Sequence, residues 1–487
     1  MVRRSLARRL ATESAIFGLG GAANQILNFL LVPLYAAALG IAEYGVFAIL
    51  NSMLALGSTL AGFALTQSFF RTFLRDAETE GDRRQALATA LTLRLLVSGV
   101  AVSLFIVSAP LLSGGLFGDS RRLGVVWLLA PNIFLDTLNM IPLQFLRATR
   151  RPGWFAAIVG VRAVASAVAI VVFVFPLEMG IFGAVLGGVV GSLAASAVAF
   201  PMLARFGGLS LQWNIPLMKS MLAFSAPLVP AAAAGWFLNL SDRWLLQVFE
   251  GSRVVGIYSL GYALGVAVNV FLIQPFLLTW AAAKWDVYRS AGAPQVYAEV
   301  TTAFITVSAF AALGLSALGT DAMRILFPAG ADAGRFVIPF SAFAYVFLAG
   351  HTMAMTGLHV ASRTSLVGVT MVLAAGVNLG LNLILIPALG FIGAGIATVL
   401  SYGLLAVATA IISHHWYPIP WELRKLAIVV GLAAGLSAAA VMGPDHPLWR
   451  IACLLVYAPA LMLLGAVPIK TLVNLLRSAR RGRGSAA

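Results

Sequence analysis

The 487-residue chain has one cysteine, Cys453, which rules out an intramolecular disulfide and a cysteine-based metal cluster. Charge is scarce too: Asp, Glu, Lys and Arg make up 10% of the residues, against 61% hydrophobic. A water-soluble core of this length does not need that balance. No Walker A sequence occurs, and the letters Gly18-x-Gly20-x-x-Ala23 fall in an apolar run with no strand before them, so neither a P-loop ATPase nor a dinucleotide-binding fold is indicated. Long polar segments are missing as well. The longest loops on one side, near 110–123 and 320–334, leave little room for catalytic groups.

What the chain has instead is a succession of apolar runs and a mean hydropathy of +0.95. Taking about 20 apolar residues per crossing, a first set of spans falls near 15–38, 45–68, 86–109, 124–146, 154–175 and 181–204. A second set falls near 221–249, 254–280, 298–319, 335–359, 366–386 and 391–412, with two last spans near 425–442 and 448–468. The expected fold is an all-α polytopic membrane protein of about fourteen transmembrane helices. Its basic start (Arg3, Arg4, Arg8, Arg9) and Ala36-Ala37-Ala38 imitate a signal peptide, but the apolar run is too long and thirteen more follow it. It reads as helix 1.

Fourteen spans put both ends on one side. With the N-terminus in the cytoplasm, 23 of the 32 basic residues fall on inner segments, six on outer segments and three within spans. That asymmetry follows the positive-inside rule and accounts for the net charge of +15 without any nucleic acid.

Two stretches repeat a pattern. In the run Asn378 to Thr398, Asn378 and Asn382 stand one turn apart before Ile386-Pro387, and Gly390 and Gly393-Ala394-Gly395 follow. Proline is expected to end the first helix and the small residues to let the next pack closely, giving a helical hairpin in the membrane. Pro176, Gly180 and Gly183-Ala184 echo this 210 or 211 residues earlier, as Asn28 and Tyr44-Gly45 anticipate Asn239 and Val255-Gly256 by 211. The reading is an N-terminal six-helix bundle at 1–210 and a second at 211–415, related by a parallel repeat, with two further helices and a basic cytoplasmic tail at 416–487. GxxxG pairs such as Gly183/Gly187 and Gly261/Gly265 mean helix packing.

Polar groups inside the spans are the functional candidates, since a charge at the bilayer centre costs about 2.5 kcal/mol or more. Arg94 and Arg162 each sit about 8 residues from the cytoplasmic end, roughly 12 Å deep at about 1.5 Å per residue. They either snorkel to the headgroups or line a cavity, the second being preferred. On span 4, Asn132, Asp136, Asn139 and Arg147 share one face. Asp136 is either a buried carboxylate satisfied by a neighbouring helix, or a functional group that couples a proton or cation or orients a cavity arginine. Asn24, Gln25 and Asn28 mark one side of span 1, and Thr59, Thr66 and Gln67 lead to Arg71. Asp242 and Arg243, about 100° apart on span 7, need not pair with each other and are expected at a gate. Asn378 and Asn382 read as interhelical hydrogen-bond glue rather than ligands. His351 is of the residue type whose unperturbed titration falls near neutral pH, though a lone helical histidine is more often structural.

The residues Asn378-x-x-x-Asn382-x-x-x-Ile386-Pro387-x-x-Gly390-x-x-Gly393-Ala394 resemble the late hairpin of the polysaccharide transporters, the Wzx-type lipid-linked oligosaccharide flippases, whose superfamily also holds MATE antiporters and the lipid II flippase MurJ. Leu31-Val32-Pro33-Leu34, Leu39-Gly40 and Glu43-Tyr44-Gly45-x-Phe47 resemble that family's opening signature, and Ser241-Asp242-Arg243 with Val255-Gly256-x-Tyr258-Ser259 its second-half opening. The resemblance covers nearly the whole chain. It implies a non-enzymatic transporter of the cell inner membrane that flips a polyprenyl-diphosphate-linked oligosaccharide for surface polysaccharide biosynthesis. Arg94, Arg162, Arg71 and Arg147 would then bind the diphosphate, and Asp136, Asp242, Arg243 and His351 would serve gating or ion coupling. No cofactor is implied; an H+ or Na+ gradient is a candidate drive, and a glycan polymerase and export machinery are candidate partners. MurJ-type flippases carry charged residues in the first span, where this chain has only amides, which lowers lipid II as the substrate. The alternatives are a MATE-like drug or ion antiporter and, less favoured, a membrane glycosyltransferase or glycan polymerase.

Overall fold

The computed structural model describes residues 2–118, 121–288 and 292–466, with side chains described at 25, 26 and from 29 onward within those limits, apart from 282. The side chains of the arginines of the basic start, Asn24 and Asn28 are outside those described, and Arg289 and the tail with Lys470 and Arg477 lie outside the described residues. Among the described residues all regular structure is helical. In order come α1 (Val2–Gly62), α2 (Leu65–Arg71), α3 (Glu80–Phe117), α4 (Leu123–Ala148), α5 (Pro152–Val174), α6 (Gly180–Gly207), α7 (Ile215–Ser225) and α8 (Val229–Glu250). They are followed by α9 (Ser252–Val268), α10 (Gln274–Tyr288), α11 (Ala293–Leu326), α12 (Val337–Val360), α13 (Ser365–Leu389), α14 (Phe391–Trp416), α15 (Leu423–Met442) and α16 (Pro447–Leu463).

Among the described residues, twelve helical segments are long and apolar enough to cross a membrane. The first of them, Phe29–Asp76, bends at Gly40; counting its two limbs separately and adding the shorter apolar α16 gives the fourteen crossings expected.

By contacts the chain forms two units, Met1–Leu260 with Gly368–Ala397, and Gly261–Val367 with Thr398–Ala487. This is a different division from that of the internal repeat. In the first unit, Phe69 and Phe73 pack with Leu87 and Leu91 of α3, Ile141 and Phe145 of α4, and Met221 of α7. The core of the second joins Tyr297, Phe304 and Leu313 of α11 to Phe343 and Val346 of α12, Val429 of α15 and Tyr457 of α16.

Repeat-related positions share backbone geometry. Gly40 (φ 75°, ψ 167°) breaks α1, and Gly251 (φ 84°, ψ 173°), 211 residues later, separates α8 from α9. Essentially only glycine takes that conformation. The segments that follow touch reciprocally: a Cβ on Gly45 would strike the Ser252 carbonyl, and one on Gly256 the Ile41 carbonyl. Ile41 and Ser252 are themselves 211 apart, so the contact has the symmetry that a two-fold relation between repeated segments requires.

Small residues also set the α5–α6 crossing. A Cβ on Gly183 would lie 2.8 Å from Phe173 Cβ, one on Gly191 2.6 Å from Ser166 Cβ, and one on Gly187 would strike Ile170. In the second unit Gly261 and Gly265 give the same close approach to Gly334 and Ser341.

Two local expectations are corrected. Pro387 does not end its helix; α13 runs to Leu389, and the chain turns at Gly390 (φ 59°). A proline in the last turn removes a single N–H bond, while a left-handed residue ends the helix outright. Asn378 and Asn382 bond to each other along α13, Asn382 Nδ2 donating to Asn378 Oδ1 at 3.0 Å, instead of reaching another helix. Their spacing of four residues places them one above the other on the same face.

Candidate functional site

The 3.6-residue period puts Asn132, Asp136 and Asn139 on one face of α4, and α6 meets that face with two hydroxyls. Ser192 Oγ lies 2.8 Å from Asp136 Oδ1 and 2.9 Å from Asn132 Oδ1. With one proton, that hydroxyl donates to only one of them at a time. Asn139 Nδ2 donates to the Ser192 carbonyl at 3.0 Å, and Asn139 Oδ1 accepts from Ser196 Oγ at 3.0 Å. From α5, Arg162 Nη2 reaches Asp136 Oδ1 at 2.7 Å.

The glycines of α6 make this seam possible. A Cβ on Gly188 would sit 2.8 Å from the Asn132 amide nitrogen, and one on Gly191 2.9 Å from the Arg162 carbonyl. The seam is not sealed, because the Arg162 side chain keeps 36% of its surface exposed and Asp136 13%. A guanidinium has five N–H donors, so donors remain for another anion.

Arg94, placed at the same depth by sequence, occupies a different setting. Its side chain is 1% exposed, and Nη1 donates to the Gly62 carbonyl at 2.7 Å. The cause is the break between α1 and α2, where Phe63 and Ala64 are both left-handed (φ 44° and 51°). Three side chains serve the carbonyls around it: Arg94 takes Gly62, Ser98 Oγ lies 3.5 Å from the Ala61 oxygen, and Ser225 Oγ 3.3 Å from that of Ala64. Arg94 clasps a broken span.

The remaining candidates have separate partners. Arg71 Nε stands 3.4 Å from Asp76 Oδ2, with its guanidinium 4.8 Å from the Phe224 ring centre. Arg147 is not joined to the α4 seam; its guanidinium lies 4.5 Å over the Phe155 ring. On α8, Asp242 and Arg243 pair although they leave the helix about 100° apart. The long arginine side chain folds back until Nη1 is 3.0 Å from both Asp242 Oδ1 and the Asn239 carbonyl. Tyr258 of α9 donates to Asp242 Oδ2 at 2.5 Å, so the Ser-Asp-Arg and Val-Gly-x-Tyr-Ser segments meet in one buried cluster. His351 is buried on α12 with Nδ1 2.8 Å from Thr409 Oγ1 of α14.

Sequence reasoning missed the hydroxyls of Ser192 and Ser196. Their spacing of four residues, on a helix whose other side chains are apolar apart from Arg205 near its end, was the available signal. It also missed Arg122 Nη1 at 2.7 Å from Glu43 Oε2, a two-pronged pair completed by Nη2 and Oε1. In the second unit it missed Arg450, bonded to Asp321 and Asp445.

Known proteins share this architecture. The family described as polysaccharide biosynthesis protein matches residues 10–280. The probable low-salt glycan biosynthesis flippase Agl15 of Haloferax volcanii is 24% identical over 422 residues, covering 82% of this chain and 80% of that protein. Among solved structures, the lipid II flippase MurJ in an inward closed conformation matches with a TM-score of 0.69 at 14% identity, over 94% of this chain and 100% of that one. An inward-facing multidrug resistance MATE transporter of the MOP superfamily matches with a TM-score of 0.62 at 13% identity, over 80% and 94%. A mutant of the Vibrio cholerae MATE transporter VcmN gives 0.58 at 16%, over 85% and 97%. With more than half of its length matched in this way, the chain belongs to the polysaccharide biosynthesis protein family and carries the fold of the MurJ and MATE transporters.

Proposed function

We propose that this chain is a flippase that moves a polyprenyl-diphosphate-linked oligosaccharide from the cytoplasmic to the outer leaflet of the inner membrane, with both termini in the cytoplasm. The observation that carries the reading is the half-open Arg162, a guanidinium inside a span that is held by Asp136 and still has donors to offer. Guanidinium matches phosphate oxygens in a fork, and a water-filled path between helices is where such a charge is tolerated. Asp136 acts as the latch. It neutralises Arg162 until a diphosphate competes for the same donors, and the released carboxylate then takes a proton or Na+, which couples movement to an ion gradient. The glycan crosses through the polar path while the prenyl tail stays in lipid, and the opening alternates between faces. Family membership and the flippase relative support the substrate class.

A MATE-like antiporter is the second reading, favoured by the partly open carboxylate of Asp136 and by the MATE structural matches. Transbilayer movement of a polyprenyl-diphosphate oligosaccharide in proteoliposomes, with and without an H+ or Na+ gradient, decides between them. Protein-dependent movement that falls about tenfold or more in Arg162→Ala, as loss of a charge-assisted hydrogen bond predicts, is the expected result. No movement, together with uptake of a cationic drug, would replace the flippase reading with the antiporter.

A further inference from the structure

A cavity of about 610 Å³ opens where the turn after α2, the start of α3 and the ends of α4 and α6 come together, and neither Asp136 nor Arg162 lines it. Its size is in the range that takes a small ligand. Buried Phe73 and Phe145, in edge-to-face contact at 5.8 Å, close its floor. Three arginines reach its wall, Arg83 and Arg84 from α3 and Arg205 from α6, against one carboxylate, Glu80. That carboxylate is already engaged, 2.9 Å from Arg83 Nη1, while Arg83 Nε is buried without a partner. Arg84 is exposed and makes no ion pair among the described residues. Arg205 lies over the Phe206 ring at 5.4 Å and makes no ion pair among the described residues, and Arg151 lies over the same ring at 3.7 Å. So many guanidinium groups at one site repel each other unless an anion joins them.

The surroundings identify where that anion comes from. Leu74, Trp154, Leu209, Leu211 and Trp213 are all exposed at this end of the first unit. Exposed tryptophan and leucine beside a ring of arginines is the pattern of the membrane interface, with aromatic groups at headgroup depth. Basic pockets between spans at that depth take the head groups of anionic lipids. We propose that this cavity binds the phosphate of an anionic phospholipid headgroup, as an accessory lipid site distinct from the transport path.

The test uses the full chain, purified in detergent with a mixture of phosphatidylglycerol and phosphatidylcholine, the retained lipids being counted by native mass spectrometry. The wild type should retain phosphatidylglycerol over phosphatidylcholine by about tenfold. In Arg84→Ala/Arg205→Ala the preference should vanish, and in the corresponding double lysine variant it should largely survive. If the double alanine variant unfolds, Arg84→Gln alone gives the reading, because that exposed side chain makes no ion pair among the described residues; it should weaken the preference. Retention of phosphatidylglycerol unchanged in these variants would overturn the proposal. Inorganic phosphate displacing the lipid at equal concentration would overturn it in favour of a free-phosphate site. Polyprenyl diphosphate held in preference to phosphatidylglycerol would make the cavity a substrate contact instead.

Discussion

Arg94 and Arg162 carry the same charge at the same sequence-derived depth, and the fold uses them in opposite ways. Arg94 is 1% exposed and gives its donor to a backbone carbonyl beside a helix break; Arg162 is 36% exposed and gives its donor to a carboxylate. A charge inside a span therefore marks either a defect in the backbone or an opening in the bundle. What separates the two cases is the partner: a carbonyl cannot release the guanidinium without exposing itself, whereas a carboxylate can give it up to a competing anion and take a cation in exchange.

The sharpest way to break the comparison is Arg94→Ala. Truncation takes the donor from the half-buried Gly62 carbonyl, which costs at most the about 1–3 kcal/mol of an orphaned buried polar group, with the volume emptied by the buried arginine adding to that. The expected outcome is a clearly lowered midpoint of thermal unfolding in detergent and reduced yield. An unchanged midpoint with abolished glycan movement would show that Arg94 belongs with Arg162 after all.

A smaller effect tests the other arm. Arg162→Ala leaves Asp136 with Ser192 alone, and because both members of the pair keep solvent contact the cost should be about 1 kcal/mol. Adding Asp136→Asn should recover most of that stability, since the amide needs no counter-charge, while transport stays lost in both variants. A double-mutant cycle over the four proteins reads the coupling directly, and neighbours in one network are expected to couple by about 0.5 kcal/mol or more. Additive stabilities would mean the 2.7 Å pair contributes nothing.

The two sites differ in how much of them could be read from the residues. The α4 face was legible because a helix converts a spacing of three and four into a stripe, and Asp136 in a span demanded a partner; that the partners are Arg162 and Ser192 depended on the α5–α6 crossing angle, which no local pattern encodes. The fourteen crossings and the twin breaks at Gly40 and Gly251 were legible from hydropathy and from one repeated offset. The clasp at Arg94 was not. Its cause is a left-handed turn formed by Phe63 and Ala64, residues that ordinarily avoid positive φ, so nothing in the sequence announces the carbonyls that need a donor. Pro387 misled in the opposite direction, announcing a stop two residues before the chain makes one.

Arg450 supplies the limiting case, an arginine as buried as Arg94 but satisfied by carboxylates as Arg162 is. It is 3% exposed, 2.5 Å from Asp321 Oδ2 and bonded to Asp445, which also pairs with Arg324 at 2.6 Å. The Arg324 guanidinium, hydrogen-bonded to Asp445 between α15 and α16, holds that carboxyl below the usual carboxylate range, and Arg450 lowers it further. A folded-state value below the unfolded one means that the ionised form favours the fold. Its contribution is complete above the ordinary Asp value of about 3.9 and fades as pH falls through the lower folded value. The wild-type melting midpoint should therefore exceed that of Asp445→Asn by a small, constant margin from neutral pH down to about pH 5, and the two should converge in stronger acid. The Arg94→Ala deficit should show no such convergence, because a carbonyl does not titrate. If both deficits changed together with pH, the distinction between a backbone clasp and a carboxylate-held arginine would fail at its simplest physical test.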